Sequence, residues 1–207
     1  MGVMEALKFF VAFTLRLFFL LTPFFALSSF LAMTSNEESR EEKRRLAVSV
    51  TVSATVVCIS IFLFGNWIMA IFGITVAAFR AGSGLLLMLS AVSLVYGTAQ
   101  KKLEPGVKLQ DLATVPLAVP ITAGPATLGA LMVSGMDTNG WVLKSLCVAG
   151  IICGTAAVGV MLYFSDLIED VLGKSKIAIL SKVTGLILSA IAAQMLVAGV
   201  RELFYSP

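Results

Sequence analysis

Long stretches without a single charged residue are the feature that most restricts how this chain can fold. They cover Leu46–Phe79, Ala81–Gln100, Leu112–Met136 and Val183–Val200. A helix needs about 20 mostly apolar residues to cross the hydrocarbon core of a bilayer. Apolar runs of this length therefore predict membrane-spanning segments.

The overall composition agrees with a membrane protein. Mean hydropathy is +0.98, and 58% of the residues are hydrophobic while only 13% are charged. A soluble domain would carry about 25% charged residues. The runs lack the alternating period of barrel strands, so we expect helices. The net charge of +3 is small and lies in loops, which favours the lipid bilayer rather than nucleic acid as partner.

The apolar pattern predicts six spans, at about 8–33, 46–70, 77–98, 113–135, 142–164 and 177–203. A strongly polar connection, Thr34–Arg45, follows the first span. Pro105-Gly106 forms a predicted turn between two groups of three spans. We therefore divide the chain into residues 1–104 and 105–207, which together form one membrane domain.

The two halves resemble each other weakly. At an offset of 102 residues Pro23 aligns with Pro125, and at 101 Gly84 aligns with Gly185. Since three spans is an odd number, the second half must insert upside down relative to the first. The expected fold class is an all-α integral membrane protein with six transmembrane helices in two inverted three-helix repeats, a recurrent plan in transporters.

Prolines interrupt the first and fourth apolar runs. A proline inside a helix removes a backbone donor and clashes with the preceding turn. We therefore expect helices 1 and 4 to be broken, with the freed backbone groups lining a cavity. The residues predicted to bind substrate at these breaks are Thr22, Pro23, Phe24, Thr122, Ala123, Gly124, Pro125, Ala126 and Thr127.

Each break would expose two kinds of backbone group. The second half-helix begins with unpaired N–H groups, and the first half-helix ends with unpaired carbonyls. A helix N-terminus favours an anion such as a carboxylate. The carbonyls and the threonine hydroxyls offer oxygen to an ammonium group or a metal cation. A pair of breaks therefore suits a zwitterion, with a proline kink that only shapes packing as the alternative.

Small residues open span 3 and recur in span 6, and such residues let helices approach closely. The small or hydroxyl-bearing residues that we add to the predicted substrate site are Gly82, Ser83, Gly84, Thr184 and Gly185. Arg80, Lys182 and Gln194 are candidates for gating or polar contacts. An interfacial anchor is the alternative for Arg80, and a helix–helix hydrogen bond is the alternative for Gln194.

The sequence contains few of the residues and motifs that enzymes use for catalysis. The chain has no His, no mid-span Asp or Glu and no GxSxG sequence, so we predict that it is not an enzyme. Cys58, Cys147 and Cys153 lie in apolar runs without metal-binding spacing. We therefore predict no metal site and no cofactor, and leave coupling to H⁺ or Na⁺ open.

Lysine and arginine predominate in the loops that follow spans 1, 3 and 5. Basic residues in short loops mark the cytoplasmic side. The bias places these three loops in the cytoplasm and both termini outside.

Several segments resemble the MarC family of bacterial six-span membrane proteins, and together they cover nearly the whole chain. They are LLTPFFALSSFL, FGITVAAFRAGSGLLL, VPLAVPITAGPATLGAL and LSKVTGLILSAIAAQMLVAGVREL. The family includes members described as neutral amino acid transporters, notably for glycine and alanine, so the resemblance implies a small-molecule substrate of that class. Members usually carry Asn-Pro in place of Thr22-Pro23, Gly-Pro-Gly in place of Gly124-Pro125-Ala126, and Arg in place of Lys182.

The leading hypothesis is a secondary transporter of small neutral amino acids that works by alternating access across the bacterial inner membrane. An exporter of other small solutes or drugs is one alternative. A non-transporting membrane accessory protein is another. The direction of transport and assembly into a homo-oligomer are left open.

Overall fold

A computed structural model of the chain describes residues 3–34, 39–96, 124–138 and 140–205. These residues are almost entirely helical and include no strand, which confirms an all-α fold. The helices are α1 (Val3–Leu20), α2 (Pro23–Met33), α3 (Arg40–Phe72), α4 (Val76–Tyr96), α5 (Pro125–Asp137), α6 (Trp141–Tyr163) and α7 (Ser165–Tyr205).

Five segments of the described chain are long and apolar enough to cross a membrane. They are Met4–Ala32, Arg40–Phe72, Val76–Tyr96, Trp141–Tyr163 and Ser165–Phe204. They correspond to predicted spans 1, 2, 3, 5 and 6. For the predicted fourth span at 113–135, the described residues begin at Gly124 and α5 begins at Pro125. The earlier part of that span lies outside the described residues.

Two predicted connections contain more helix than the sequence suggested. α3 already begins at Arg40, inside the polar connection, because Ser39 caps it: the Ser39 side chain accepts from the Glu42 N–H, and the Glu42 side chain accepts from the Ser39 N–H. Such reciprocal capping satisfies two otherwise unpaired donors.

α7 begins well before the predicted start of span 6 at 177, and it kinks at Gly173, which has φ 76°. Gly173 (φ 76°, ψ 154°) separates a first helical segment, in which Ile168 and Leu172 pack against the buried core, from the segment that contains predicted span 6. This burial stabilises a helical segment that the sequence did not predict, because charged residues interrupt its apolar pattern.

Two apolar clusters form the interior. The larger lies mainly among α1, α2, α3 and α6, with Leu131 of α5 and Ile177 of α7 added, and Phe30, Phe62 and Ile151 are among its buried side chains. The smaller lies among α4, α5 and α7 and includes Leu20 from the end of α1. Many other large apolar side chains point outward, among them Trp67 and Trp141. An apolar exterior of this kind suits contact with lipid.

α4 and α7 pack closely, with glycines at the contact. A Cβ built on Gly84 would lie 3.1 Å from the carbonyl oxygen of Ala192, and one built on Gly185 would lie 3.0 Å from that of Ala91. Residue numbers therefore rise along α4 as they fall along α7, so the two helices run antiparallel. Only residues without a side chain allow backbones to approach this closely.

A second contact joins the two halves through α3 and α6. The hydroxyl groups of Thr55 and Thr155 lie 2.8 Å apart, and Thr155 also donates to the carbonyl of Ile151 at 2.8 Å. One turn away, a Cβ on Gly159 would clash with Thr51. A hydroxyl pair between helices replaces hydrogen bonds that lipid cannot supply.

Candidate functional site

The first span is broken at the predicted proline. α1 ends at Leu20, Thr22 adopts the left-handed conformation (φ 48°, ψ 57°), and α2 begins at Pro23. A positive φ is uncommon for a residue other than glycine. Pro23 has no N–H to continue the helix, although its fixed φ suits the first helical position. The predicted break in helix 1 is confirmed.

The carbonyls at the end of α1 find substitute donors. In an unbroken helix the Phe19 carbonyl would accept from residue 23, but that residue is proline. It accepts the N–H of Thr22 instead, at 3.0 Å. The Leu20 carbonyl would accept from Phe24, but it accepts the Thr127 hydroxyl at 2.7 Å. The Phe24 N–H, which would bond to the Leu20 carbonyl in an unbroken helix, is therefore left without that acceptor.

The second break is described only from Gly124 onward. Gly124 is extended (φ −61°, ψ 165°), and Pro125 occupies the first position of α5. The Gly124 carbonyl accepts the first helical hydrogen bond, from the N–H of Leu128 at 3.0 Å. A helix therefore starts at this proline as it does at Pro23. The predicted site residues Thr122 and Ala123 lie outside the described residues.

Each proline-initiated helix presents two backbone donors. Neither N-terminus has a side-chain cap among the described residues. In α2, Ala26 is the first residue whose N–H is bonded, to the Thr22 carbonyl at 2.9 Å. The donors without an acceptor in the described parts of the chain are the N–H groups of Phe24, Phe25, Ala126 and Thr127. Unpaired N–H groups and the helix dipole give both N-termini partial positive charge.

One hydrogen bond holds the two breaks together. Thr127, in the first turn of α5, donates to Leu20, the last residue of α1. Both residues are buried, with 4% and 3% of their surfaces exposed. Ala126 packs in the same cluster as Leu20. The fold thus brings the start of α5 beside the end of α1, across a sequence separation of 107 residues.

This arrangement can hold a small ligand with both signs of charge. N–H groups at a helix N-terminus bind carboxylate or phosphate oxygens without a basic side chain. The Thr22 N–H bonds to Phe19, so the Phe18 carbonyl loses its usual helical donor. The Phe18 carbonyl oxygen can therefore accept from an ammonium group.

The predicted small residues of α4 occupy different surroundings. Ser83 is buried against Gly129 of α5, one turn beyond Ala126, and Gly84 lies in the contact with α7. Gly82 is exposed, and nothing described lies within 4 Å of a Cβ built there. Ser83 is therefore the predicted α4 residue nearest in structure to the second break.

Thr184 and Gly185 lie in the packed part of α7. Thr184 is 1% exposed and donates to the Leu180 carbonyl at 3.0 Å, within its own helix. Gly185 contacts the backbone of α4. These contacts explain why small residues are needed at both positions, and they leave a role in substrate binding as a prediction.

Arg80 binds two carboxylates. Its guanidinium nitrogens contact Glu202 near the end of α7, at 2.6 Å, and Asp137 at the end of α5. Only 17% of the Arg80 side chain is exposed. The other two polar candidates, Lys182 and Gln194, are exposed. Arg80 therefore ties the ends of three helices together, a contact more specific than an interfacial anchor.

A second ion pair lies near the start of α3. The Lys43 ammonium is 3.1 Å from Asp166 in the first turn of α7, and 12% of the Lys43 side chain is exposed. Within α7, Lys174 pairs with Glu169 at 3.2 Å. The first of these pairs joins the two halves of the chain, whereas the second lies inside one half.

The sequence reasoning missed most of these partners. The sequence could not reveal the role of the Leu20 carbonyl, because every residue has a backbone carbonyl. The sequence analysis assigned no role to the acids that meet Arg80 and Lys43. For Asp137 and Glu202 a signal existed, since the predicted topology places both on the same membrane side as Arg80. Thr55 and Thr155 occupy equivalent places in the two halves but were not considered.

Comparison with known proteins assigns the chain to a family. A family described as MarC family integral membrane protein matches residues 7–204. A UPF0056 membrane protein of Methanocaldococcus jannaschii is 31% identical over 94% of this chain and 97% of its own. Others are 30% identical in Aquifex aeolicus, over 81% of each chain, and 28% identical in Pyrococcus abyssi, over 98% and 99%. No solved structure matches the chain.

Proposed function

Because the chain belongs to the MarC family of integral membrane proteins, we propose that it is a secondary transporter of small neutral amino acids such as glycine and alanine. The observation that carries the proposal is the hydrogen bond from Thr127 to Leu20, which holds the N-terminus of α5 against the end of α1, just before the break at Thr22-Pro23. Broken helices in corresponding halves are the typical binding-site element of transporters.

The chemistry of the breaks favours a neutral amino acid. Four backbone N–H groups without described acceptors can hold a carboxylate, and leftover carbonyls and hydroxyls can hold the ammonium group. The side chains that surround the start of α5 are small or apolar, with Ala126, Thr127 and Ser83 buried there. No acid or base of the described breaks is available to pair with a charged substrate side chain.

We further propose that residues 1–104 and 105–207 form two inverted three-span repeats, which move relative to each other in alternating access. The contact between Gly84 and Ala192 and the contact between Gly185 and Ala91 support this arrangement. At an offset of 101, each contact is the image of the other. A two-fold axis within the membrane plane produces such reciprocal, antiparallel contacts.

The proposed location is the inner membrane of a bacterium, with both termini outside. In this orientation the exposed residues Arg40, Arg44, Arg45, Lys174 and Lys176 face the cytoplasm, as expected for short basic loops. The proposal includes neither an enzymatic activity nor a cofactor. It leaves open whether transport is coupled to H⁺ or Na⁺ and whether the protein forms a homo-oligomer.

A thermal-shift measurement on the purified protein tests the proposed site. A ligand that binds only the folded state at 100 times its Kd stabilises that state by about 2.7 kcal/mol. We expect glycine and alanine to raise the unfolding temperature, and leucine, glutamate and lysine to have little effect. Stabilisation by other solutes alone would favour the alternative exporter, and no stabilisation by any solute would favour an accessory protein.

A pair of glycine variants locates the site. Nothing described lies within 4 Å of a Cβ built at Gly124 or at Gly82, so leucine should be accommodated at both. Gly124→Leu would cover the N–H groups at the start of α5 and should abolish stabilisation by glycine. Because Gly82 is exposed, we expect Gly82→Leu to respond like the wild type, and this result would remove Gly82 from the predicted site. Normal stabilisation of Gly124→Leu would remove the second break from the site.

A further inference from the structure

Ion pairs join the two halves of the chain at both ends of the described bundle. Arg80 belongs to the first half, and its partners Asp137 and Glu202 belong to the second. Lys43 belongs to the first half, and its partner Asp166 belongs to the second.

The two sets of ion pairs lie at opposite ends of α3. Lys43 is in the first turn of this helix, whereas Arg80 follows the short connection after its last residue, Phe72. A helix of 33 residues is about 50 Å long at 1.5 Å per residue. The ion pairs are therefore on opposite sides of a bilayer whose hydrocarbon core is about 30 Å thick.

We propose that these ion pairs are two opposing gates: Arg80 with Asp137 and Glu202 closes one side of the transport path, and Lys43 with Asp166 closes the other. The inference rests on the proposed transport function. Alternating access requires the halves to separate at one end while they stay together at the other. A contact that joins the halves at one end only is suited to control that separation.

The contacts between the halves are hydrogen bonds in the membrane interior and ion pairs at its two sides, and this difference fits gating. Near the breaks, Thr127 donates to Leu20, and between α3 and α6 the hydroxyls of Thr55 and Thr155 meet. Hydrogen bonds inside the bilayer lack competing water. The carboxylates of the ion pairs at the ends remain partly exposed to water, so these pairs can break and re-form while the central contacts persist as the pivot.

The two gates are unequal. Arg80 binds two carboxylates on two helices of the second half, whereas Lys43 binds one. The carboxylates of these pairs are 32–54% exposed, and one ion pair that is open to water on this side changes a population by about 1.5- to 5-fold. Removing the Arg80 charge should therefore change the open fraction at its end by about 2- to 25-fold, and removing the Lys43 charge by about 1.5- to 5-fold at the other end.

Distances between spin labels test the proposal without any substrate. The full chain is prepared in lipid nanodiscs with the exposed Cys153 changed to Ser. Labels at Ile74 and Val142 report on the Arg80 end, and labels at Arg40 and Ser175 report on the Lys43 end. All four positions are exposed on described helices or their connections, with one of each pair in either half.

We expect Arg80→Gln to lengthen the distances at its own end only, and Lys43→Gln to lengthen those at the other end only. Lys174→Gln is the matched control, because the Lys174–Glu169 pair, at 3.2 Å, is about as close as the Lys43–Asp166 pair but lies within one half. It should change neither distance. The exchange of charges in Lys43→Asp combined with Asp166→Lys should restore the wild-type distances.

Three results would overturn the gates: no change in a folded variant, a change at the same end in both variants, or an equal effect of Lys174→Gln. The readout also separates this inference from the proposed function. Distances that respond as expected in a protein that no amino acid stabilises would keep the gates and reject the substrate. Stabilisation by an amino acid with unchanged distances would support the substrate and reject the gates.

Discussion

The hydrogen bond between the two breaks should be worth more than other threonine hydrogen bonds in this protein. Thr127→Val keeps the size and β-branching of the side chain but removes the hydroxyl. The Leu20 carbonyl, which accepts that hydroxyl at 2.7 Å, would then be buried at 3% exposure without its described donor. Its usual helical donor, the N–H of Phe24, lies on the other side of the break.

The expected cost follows from the unpaired carbonyl. A buried acceptor left unsatisfied costs about 1–3 kcal/mol. Side-chain hydrogen bonds between membrane helices average about 0.6 kcal/mol and reach about 1.7, because the unfolded chain in the membrane also finds partners. We therefore expect Thr127→Val to lower the free energy of unfolding by about 1–2 kcal/mol.

Thr184→Val is the matched control. Thr184 is also buried, at 1% exposure, and donates to Leu180 at 3.0 Å. That acceptor lies four residues earlier in the same helix, so it keeps its backbone hydrogen bond when the hydroxyl is removed. A threonine hydroxyl that bonds back to the carbonyl four residues earlier does not stabilise a helix, so we expect a much smaller change than for Thr127→Val.

Reversible denaturant unfolding in mixed micelles, followed by circular dichroism, measures both variants. Thr127→Ser should retain most of the stability, because it keeps the hydroxyl. Equal losses in Thr127→Val and Thr184→Val would refute the reasoning, since they would mean that the Leu20 carbonyl does not depend on Thr127. Loss of glycine-dependent stabilisation in Thr127→Val is expected as well, because the start of α5 would no longer be held against the end of α1.

Three further predictions concern packing and orientation. Gly84→Leu should destabilise the protein by about 1–3 kcal/mol, because the new side chain would collide with the α7 backbone and overpacking costs about this much. Gly82→Leu should be nearly neutral in the same unfolding assay. A double-mutant cycle of Thr55→Val and Thr155→Val should give a coupling energy of about 0.6–1.7 kcal/mol, and additive effects would deny the hydroxyl contact. Labelling of single cysteines in intact cells should find Thr34–Arg45 inside and the C-terminus outside, and labelling of both from one side would reject six spans.

Much of the architecture follows from local sequence. The charge-free runs predicted membrane helices, and five spans of the described chain agree with them. Pro23 predicted the break in helix 1, and the start of α5 at Pro125 agrees with the second interruption. These predictions succeed because hydropathy over 20 residues and the missing N–H of proline act within one segment, whatever packs against it.

Helix ends were predicted less well. α3 starts at Arg40 because Ser39 and Glu42 cap each other, and that signal was present in the sequence but was not used. The early start of α7 depends on the burial of Ile168 and Leu172. Only the packed protein reveals that burial, because charges interrupt the apolar pattern there.

The sequence by itself determined that this chain crosses a membrane as helices, where those helices are interrupted, and which family it belongs to. The tertiary structure decided which interrupted ends meet and which charges pair. Thr127 reaches Leu20 across 107 residues, and Arg80 reaches Glu202 across 122. A carbonyl or a carboxylate looks the same in sequence whether it is solvated or bonded. Its partner is chosen by how the helices pack, because packing brings distant groups within 3 Å and removes the water that would otherwise bind them.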